Sequence, residues 1–252
     1  SPSSRLFHNV LYLDVEAIPE FDECAAAREL IAAPQYQARI AALKDAPFVD
    51  YPAVWKLKRE VLDRLYADFR QRHLLAGSER GQAFRAFQAA GGDALERFAR
   101  YEALQTHFQQ QDPAIWGWPV WPRAYRDPRT PAVEEFAQRR RERVEFFQYL
   151  QWQADAQLAA ASRHADELGL AVGLYQDLAV SIDRAGADSW SEQALYAAEV
   201  SIGAPPDDFN LKGQNWGHPR WYPSACASGL TPHSSQCSAR TCAMRERCVS
   251  IT

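Results

Sequence analysis

The sequence lacks the features that would direct it to a membrane, an export pathway or a nucleic acid. No apolar run approaches the roughly 18 residues of a membrane-spanning helix, and no charged stretch followed by an apolar one opens the chain as a secretory signal would. Positive charge is not in excess, because the net charge is −4 and 24% of the 252 residues are charged. These absences predict a soluble, cytoplasmic globular protein whose partners include neither a membrane nor a nucleic acid.

Signatures of several cofactor-dependent and hydrolytic enzymes are also missing. The chain has no G-x-x-x-x-G-K-[ST] phosphate loop, no G-x-G-x-x-G after a strand, no H-E-x-x-H and no G-x-S-x-G. Four cysteines lie late in the chain, near His233: Cys226, Cys237, Cys242 and Cys248. Successive cysteines are separated by ten, four and five residues, a spacing that matches no pair of zinc knuckles. We therefore expect no cofactor and no metal.

Helical periodicity dominates what the chain does contain. Residues 51–73 place apolar side chains on one stripe and have Pro52 in the first turn; the stripe comprises Val54, Leu57, Val61, Leu62, Leu65 and Phe69. Residues 22–33, 77–92 and 93–108 show similar patterns, with Gly91 and Gly92 separating the last two. A further long helical run begins at Thr130. The sequence therefore predicts a largely helical central region.

Two short segments predict strands instead. "HNVLYLDVEAI" (residues 8–18) alternates into an apolar run that ends at Asp14 or Glu16, and residues 170–175 form the continuous apolar run of a buried parallel strand. Asp177 follows the second run. In β/α barrels the catalytic residues lie just past the buried strands, so Asp177 could be one of them. The alternative interpretation is that Asp177 is an ordinary loop residue or a helix cap.

One stretch, "SIGAPPDDFNLKGQNWGHPRWYP" (residues 201–223), resembles neither a helix nor a strand. It combines four prolines with glycines, two tryptophans and a run of amide and acid side chains. Such a stretch predicts an irregular loop whose backbone Gly213 and the prolines constrain. It is either a filler linker or a surface built to hold a flat, hydroxyl-rich ligand.

The order of these segments predicts an α/β fold in which a β/α barrel carries a large, mostly helical inserted subdomain. The insertion of about 140 residues is too long for a simple crossover between neighbouring strands. We expect a barrel strand segment over residues 1–22 and the helical inserted subdomain over 23–130. Residues 131–223 would supply a barrel helix, a strand and the Pro- and Trp-rich loop, and an irregular tail would begin at about 224.

Five stretches together resemble the bacterial amylomaltases, or 4-α-glucanotransferases. They are "YPAVWKLKREVL", "GGDALERFARYEALQ", "FFQYLQWQADAQL", "GLYQDLAVSID" and "SIGAPPDDFNLKGQNWGHPRW", and the resemblance runs in order to about residue 223. The resemblance implies that the α/β fold is a partial (β/α)8 TIM barrel with a large, mostly helical inserted subdomain. It also implies an enzyme that transfers α-1,4-glucan segments between maltodextrins by a retaining double displacement. In this family the nucleophile, the acid/base and the stabilising carboxylate are all expected beyond residue 223, so the family-like part of this chain holds no catalytic residue.

The resemblance also implies which residues would bind an α-1,4-glucan or maltooligosaccharide. In the family the loop arches over the acceptor sugars, where Trp216 would offer a ring face, Gln214 would exchange hydrogen bonds with hydroxyls and Phe209 would supply a second ring. Asp208 stands where some relatives carry an aromatic residue, and Asp177 falls at a strand end near the cleft. The alternative is that Trp216 simply packs under the loop.

The composition changes abruptly after residue 223. None of the 30 aromatic residues follows Tyr222, while Ser, Thr and Cys supply 13 of the last 29 residues. The family continues instead with a segment like F-I-x-x-L-R-A-N-M-R-x-A-G-x-L-R-I-D-H, whose Asp is the nucleophile. Residues 233–252 can be reverse-translated and read in a shifted frame, in which the third base of each codon joins the first two bases of the next. Codons can be chosen so that every triplet in this shifted frame encodes the corresponding residue of the family segment. We therefore interpret the tail as an out-of-frame translation.

Three functions follow from these observations. The first is a fragment of a 4-α-glucanotransferase, inactive because the catalytic carboxylates are absent from its family-like part. The second is a non-catalytic α-glucan-binding protein that keeps the Gln214 and Trp216 surface. The third is a helical scaffold whose two Trp-rich loops, over residues 112–128 and 201–223, contact other proteins.

Overall fold

The computed structural model describes residues 3–175 and 181–221. They form two units: unit 1 takes its residues from Ser1–His8, Asp93–Val144 and Ala159–Thr252, and unit 2 from Asn9–Gly92 and Glu145–Leu158. The described helices are α1 (Ala25–Ala32), α2 (Pro34–Lys44), α3 (Tyr51–Phe69), α4 (Glu79–Gln111), α5 (Pro131–Arg139), α6 (Arg141–Glu167) and α7 (Ala187–Ser191), and the strands are β1 (Tyr196–Ala204) and β2 (Gln214–Trp221). The described helices do not include one that is both long and apolar enough to cross a membrane.

Local sequence signals explain where the principal helices begin and break. Asp50 caps α3, because its Oδ1 accepts a hydrogen bond from the Ala53 amide at 3.0 Å. The predicted apolar stripe of α3 is buried at every position except Val54. Gly92 adopts φ 51° and ψ −148° inside α4, so the predicted break between two helical segments is confirmed. Thr130 caps α5 through a contact with the Val133 amide.

The core of unit 2 is an aromatic cluster between α3, α4 and α6. The Phe69 ring lies 4.9 Å from Tyr149, 5.4 Å from Phe84 and 5.7 Å from Trp152, centroid to centroid. Phe69 and Phe84 are completely buried. Contacts of this kind contribute about 0.5–1.5 kcal/mol each in addition to the burial of apolar surface, so they stabilise the packing of the three helices.

A buried carboxylate lies beside this aromatic cluster. The Glu20 side chain is 1% exposed and forms an ion pair with Arg80. The Tyr149 hydroxyl donates a hydrogen bond to Glu20 Oε2 at 2.7 Å, and the Arg80 guanidinium carbon lies 4.4 Å from the Trp152 ring centroid. Burial, followed by the Glu20 charge, raises the pKa of Tyr149 well above its ordinary value, so the phenol remains a donor.

The strand predicted over residues 8–18 is wrong. The chain instead forms short 3-10 helices at Val10–Tyr12 and Pro19–Phe21. Side chains from α3 and α6 satisfy its backbone where a neighbouring strand would have done so. Lys58 Nζ donates to the carbonyls of Leu11 and Leu13 at 2.7 and 2.8 Å, and the Gln157 amide exchanges two hydrogen bonds with the backbone of Asp14.

The buried strand predicted over residues 170–175 is also wrong. Gly169 ends α6 with φ 71°, as its position in the sequence predicts. Leu170, Val172 and Tyr175 are then 54%, 56% and 61% exposed, and none of them belongs to a strand. A parallel strand needs a hydrogen-bonding neighbour, but the sheet formed by residues 3–175 and 181–221 consists of β1 and β2 alone.

Unit 1 has an aromatic core of its own, which includes Trp121 from the Trp-rich loop over residues 112–128. Trp121 and Trp190 are completely buried with ring centroids 5.9 Å apart, and Tyr101 lies 5.2 Å from Trp121. Both indole N–H groups find acceptors, Trp121 on the Gln105 side chain and Trp190 on the Tyr125 carbonyl. These tryptophans are therefore structural, because burial and paired indoles leave them nothing to offer a ligand.

The N-terminal segment is bound within unit 1 through two acidic residues. Asp188 accepts hydrogen bonds from the Ser4 hydroxyl at 2.6 Å and from the Arg5 amide at 2.7 Å. Glu102 accepts a short hydrogen bond from the Ser3 hydroxyl. Burial nevertheless raises the pKa of Glu102, because the single hydroxyl only partly replaces the lost hydration.

Replacing Glu102 with glutamine should stabilise the protein at neutral and alkaline pH. The folded state holds the Glu102 proton more tightly than the unfolded chain, so the wild type loses stability as the pH rises from the ordinary glutamate pKa through the raised pKa of the folded state. Glutamine keeps the shape without a charge, so the variant should be more stable than the wild type above that pH window and equally stable below it. Urea unfolding followed by circular dichroism at pH 4 and pH 8 measures both values. A gain that is equal at the two pH values would show that Glu102 ionisation is not responsible.

Candidate functional site

The stretch predicted to be an irregular loop is a β-hairpin over most of its length, and that prediction is corrected. β1 and β2 pair antiparallel, with Tyr196 opposite Trp221 and Ala204 opposite Gln214. Pro219 lies opposite Ser201 next to a shift in register, which is where a strand tolerates a residue without an amide proton. The prolines thus mark an irregular hairpin rather than the absence of strands.

Close contact between the two strands depends on a glycine. A Cβ atom at Gly203 would lie 1.9 Å from the Gln214 carbonyl oxygen, so no other residue fits there without moving β2. Gly213, which leads into β2, has φ 70°, and a Cβ there would lie 2.7 Å from the Ala204 carbonyl oxygen. The predicted role of Gly213 in setting the backbone is confirmed.

Residues 205–213 form the connecting loop, which is irregular as predicted. Asp207 organises its tip: Oδ1 accepts hydrogen bonds from the amides of Phe209 at 2.9 Å and Asn210 at 2.6 Å. The Asn210 carbonyl in turn accepts from the amides of Asp207 and Gly213 at 3.2 and 3.0 Å. The loop therefore has its own hydrogen-bond network.

Two of the predicted binding residues lie together on β2. Gln214 and Trp216 are two positions apart, so their side chains share a face of the strand. The Trp216 indole N–H donates to the Gln214 side-chain oxygen at 2.9 Å, while Trp216 is 44% exposed. The pair presents one ring of fixed orientation together with the Gln214 amide nitrogen as a donor. Trp216 is thus partly exposed, and its role in binding stays a prediction.

The other predicted residues are placed differently. Phe209 is fully exposed at the loop tip, with a relative accessibility of 101%, and Asp208 beside it is also exposed. Asp177 lies outside the described residues, as do His233 and the four late cysteines. Among residues 3–175 and 181–221, no group of three or more His, Cys, Asp and Glu is arranged to hold a metal ion.

The base of the hairpin is held by residues that the sequence analysis did not single out. Arg184 donates from Nη2 to the Ser201 hydroxyl at 2.5 Å and to the Val200 carbonyl at 3.3 Å. The His218 ring nitrogen Nδ1 lies 3.0 Å from the Ile182 carbonyl, to which it can only donate. A lone arginine or histidine carries no local sequence signal for such contacts, since the partners lie 16 to 36 positions away.

The described hairpin presents groups that suit contact with a ligand. Trp216 and Phe209 offer apolar ring faces, Gln214 offers an amide, and Asp208 offers a carboxylate. Such a surface suits a ring-shaped, hydroxyl-rich molecule, because the ring faces cover its C–H groups while the polar groups meet its hydroxyls.

Comparison with known proteins identifies the family. The sequence model of the 4-alpha-glucanotransferase family matches residues 1–229. The chain belongs to this family. The 4-alpha-glucanotransferase of Haemophilus influenzae is 33% identical over 236 residues, which cover 92% of this chain and 34% of that protein. The 4-alpha-glucanotransferase of Mycobacterium tuberculosis strain H37Rv is 36% identical over 226 residues, covering 90% and 29% respectively.

Solved structures agree with this family membership. The amylomaltase of Corynebacterium glutamicum superposes with a TM-score of 0.74 at 29% identity, covering 96% of this chain and 31% of that one. The amylomaltase of Streptococcus agalactiae in complex with acarbose has a TM-score of 0.71 at 18% identity, covering 97% and 48%, and shows the shared fold. The chain thus spans about a third of the length of these two curated 4-alpha-glucanotransferases.

Proposed function

We propose that this chain supplies part of the glucan-binding surface of a 4-α-glucanotransferase, and that it does not catalyse transfer by itself. The observation that supports binding is the exposed Trp216 ring joined to Gln214 in a chain of this family. We also propose that the chain corresponds to part of a (β/α)8 barrel with a helical insertion, working on maltodextrins in the cytoplasm.

The proposed contribution of the hairpin is to hold the acceptor sugar. In a retaining double displacement, one carboxylate forms a covalent glycosyl-enzyme and a second acts first as acid and then as base. Transfer to a sugar instead of hydrolysis requires that the acceptor occupy the site and exclude water. Trp216 would cover one face of that sugar and Gln214 would donate to its hydroxyls, whereas bond cleavage would depend on carboxylates outside the family-like part of this chain.

Removing the Trp216 ring should weaken binding to amylose about tenfold, because a sugar–ring contact contributes on the order of 1.5 kcal/mol. Electrophoresis of Trp216→Ala through gels containing increasing amylose measures the dissociation constant. Trp116→Ala is the matched control, since Trp116 is 60% exposed but lies outside the hairpin. Equal retardation of the Trp216 variant and the wild type would refute the proposed role of this ring.

A non-catalytic role as a protein-interaction module is the second candidate. It is favoured by the large apolar side chains exposed at the hairpin tip, where Phe209 and Leu211 are 101% and 82% exposed. Retention of the wild type by amylose argues for the glucan surface, while migration that amylose leaves unchanged would favour the interaction module.

A further inference from the structure

The tip of the hairpin presents the Phe209 ring, which the side chains of residues 3–175 and 181–221 leave uncovered. Phe209 is fully exposed and Leu211 is 82% exposed, so packing does not fix this part of the loop. An unsupported segment must lose conformational freedom when a ligand binds, and that loss subtracts from affinity. Some other contact must therefore hold the loop if Phe209 is to meet a sugar in a defined position.

The Asp207 carboxylate provides that contact. Its Oδ1 accepts from the Phe209 amide at 2.9 Å and from the Asn210 amide at 2.6 Å, so one oxygen fixes the two peptide units around Phe209. Hydrogen bonds to a charged acceptor are stronger than those between neutral groups. The Asp207 carboxylate thus binds the backbone amides of the residues two and three positions further along its own loop.

The flanking residues stiffen the same turn from both sides. Pro205 and Pro206 fix φ immediately before Asp207. Gly213 closes the loop with φ 70° and donates its amide to the Asn210 carbonyl at 3.0 Å. The loop is therefore preorganised around Asp207.

We propose that Asp207 is a positioning residue of the glucan surface, whose carboxylate holds the backbone that carries the Phe209 ring in its binding conformation before the sugar arrives. This inference rests on the proposed function, because it assumes that the hairpin binds glucan. Asp207 acts on the loop backbone and Phe209 acts on the ligand. The carbonyl oxygen of an asparagine can accept the same hydrogen bonds, so the role depends on an acceptor at this position rather than on its charge.

The test compares Asp207→Ala and Asp207→Asn with the wild type in amylose gels. We expect the alanine variant to bind about tenfold more weakly, because it loses both hydrogen bonds that hold the loop backbone around Phe209. The asparagine variant should restore most of the affinity. Amide hydrogen exchange at Phe209 and Asn210, measured by NMR without glucan, should accelerate in the alanine variant and remain slow with asparagine.

Asp112→Ala is the matched control. Asp112 makes the same kind of contact in another exposed loop, where its Oδ1 accepts from the Ala114 amide at 2.9 Å. Its removal should leave amylose binding unchanged.

Three other outcomes would each contradict the inference for a different reason. If the alanine variant binds as tightly as the wild type, Asp207 does not position the binding surface. If the alanine and asparagine variants are equally weak while exchange stays slow with asparagine, the charge acts on the sugar directly. If neither the wild type nor any variant binds amylose, the proposed glucan-binding function fails, and the inference fails with it.

Discussion

Arg80→Ala should lower the free energy of unfolding by about 3–5 kcal/mol, the typical cost of leaving a buried charge without its partner. Glu20 is 1% exposed at its side chain, and Arg80 supplies its cationic partner. The hydrogen bond from the Tyr149 hydroxyl remains in the variant but cannot neutralise the carboxylate. Guanidinium unfolding, followed by far-UV circular dichroism, measures the loss.

Arg39→Ala is the control for this substitution. Arg39 donates two hydrogen bonds to Glu60 at 2.8 and 2.9 Å, so its geometry is as favourable as that of Arg80. The side chains of that pair are 44% and 32% exposed, however, and water replaces the lost partner. The Arg39 variant should therefore unfold close to the wild type. Similar losses in the two variants would show that burial of Glu20 is not the cause.

The second prediction with a large effect is that this chain has no glucan-transfer activity. Incubated with maltotriose, the chain should release no glucose and form no longer dextrins, since the nucleophile, the acid/base and the stabilising carboxylate of this family are expected beyond residue 223. Chromatography of the sugars over time measures both products. If amylose retains the chain but no products form, the chain binds glucan without catalysing transfer. The appearance of glucose together with longer dextrins would refute the proposed lack of catalysis.

The out-of-frame interpretation of the tail predicts a specific change in the nucleic acid. Joining the third base of each codon to the first two of the next corresponds to the loss of one base, or the gain of two, upstream of His233. Sequencing independent isolates across residues 220–252 should reveal a reading frame in which that change is absent and the family segment follows. An uninterrupted frame that encodes the cysteine-containing tail in every isolate would contradict the interpretation.

The helices could be predicted from the sequence because their signals are local. Asp50 and the apolar stripe of α3 lie within one continuous segment, and Gly92 marks the break in α4 by itself. The first predicted strand failed because an alternating pattern does not reveal what satisfies the backbone. Lys58 and Gln157 do so from 45 to 143 positions away, and no local pattern identifies them.

The candidate site was predictable in composition but not in conformation. Trp216, Gln214 and Phe209 follow from the resemblance, and the structure exposes all three. The hairpin was missed because Pro219 and Gly203 usually weaken strands, whereas here one occupies a register shift and the other permits close contact between strands. Asp207 went unnoticed because its hydrogen bonds become visible only once the loop conformation is known.

Fluorine NMR of the protein labelled with 5-fluorotryptophan tests the glucan surface most directly. The eight tryptophans give separate reporters, and Trp216→Phe assigns the signal of interest. On titration with maltoheptaose the Trp216 signal should shift and saturate, while the signals of the buried Trp121 and Trp190 stay in place. A Trp216 signal that does not move at saturating maltoheptaose would contradict the claim that this hairpin binds α-glucans.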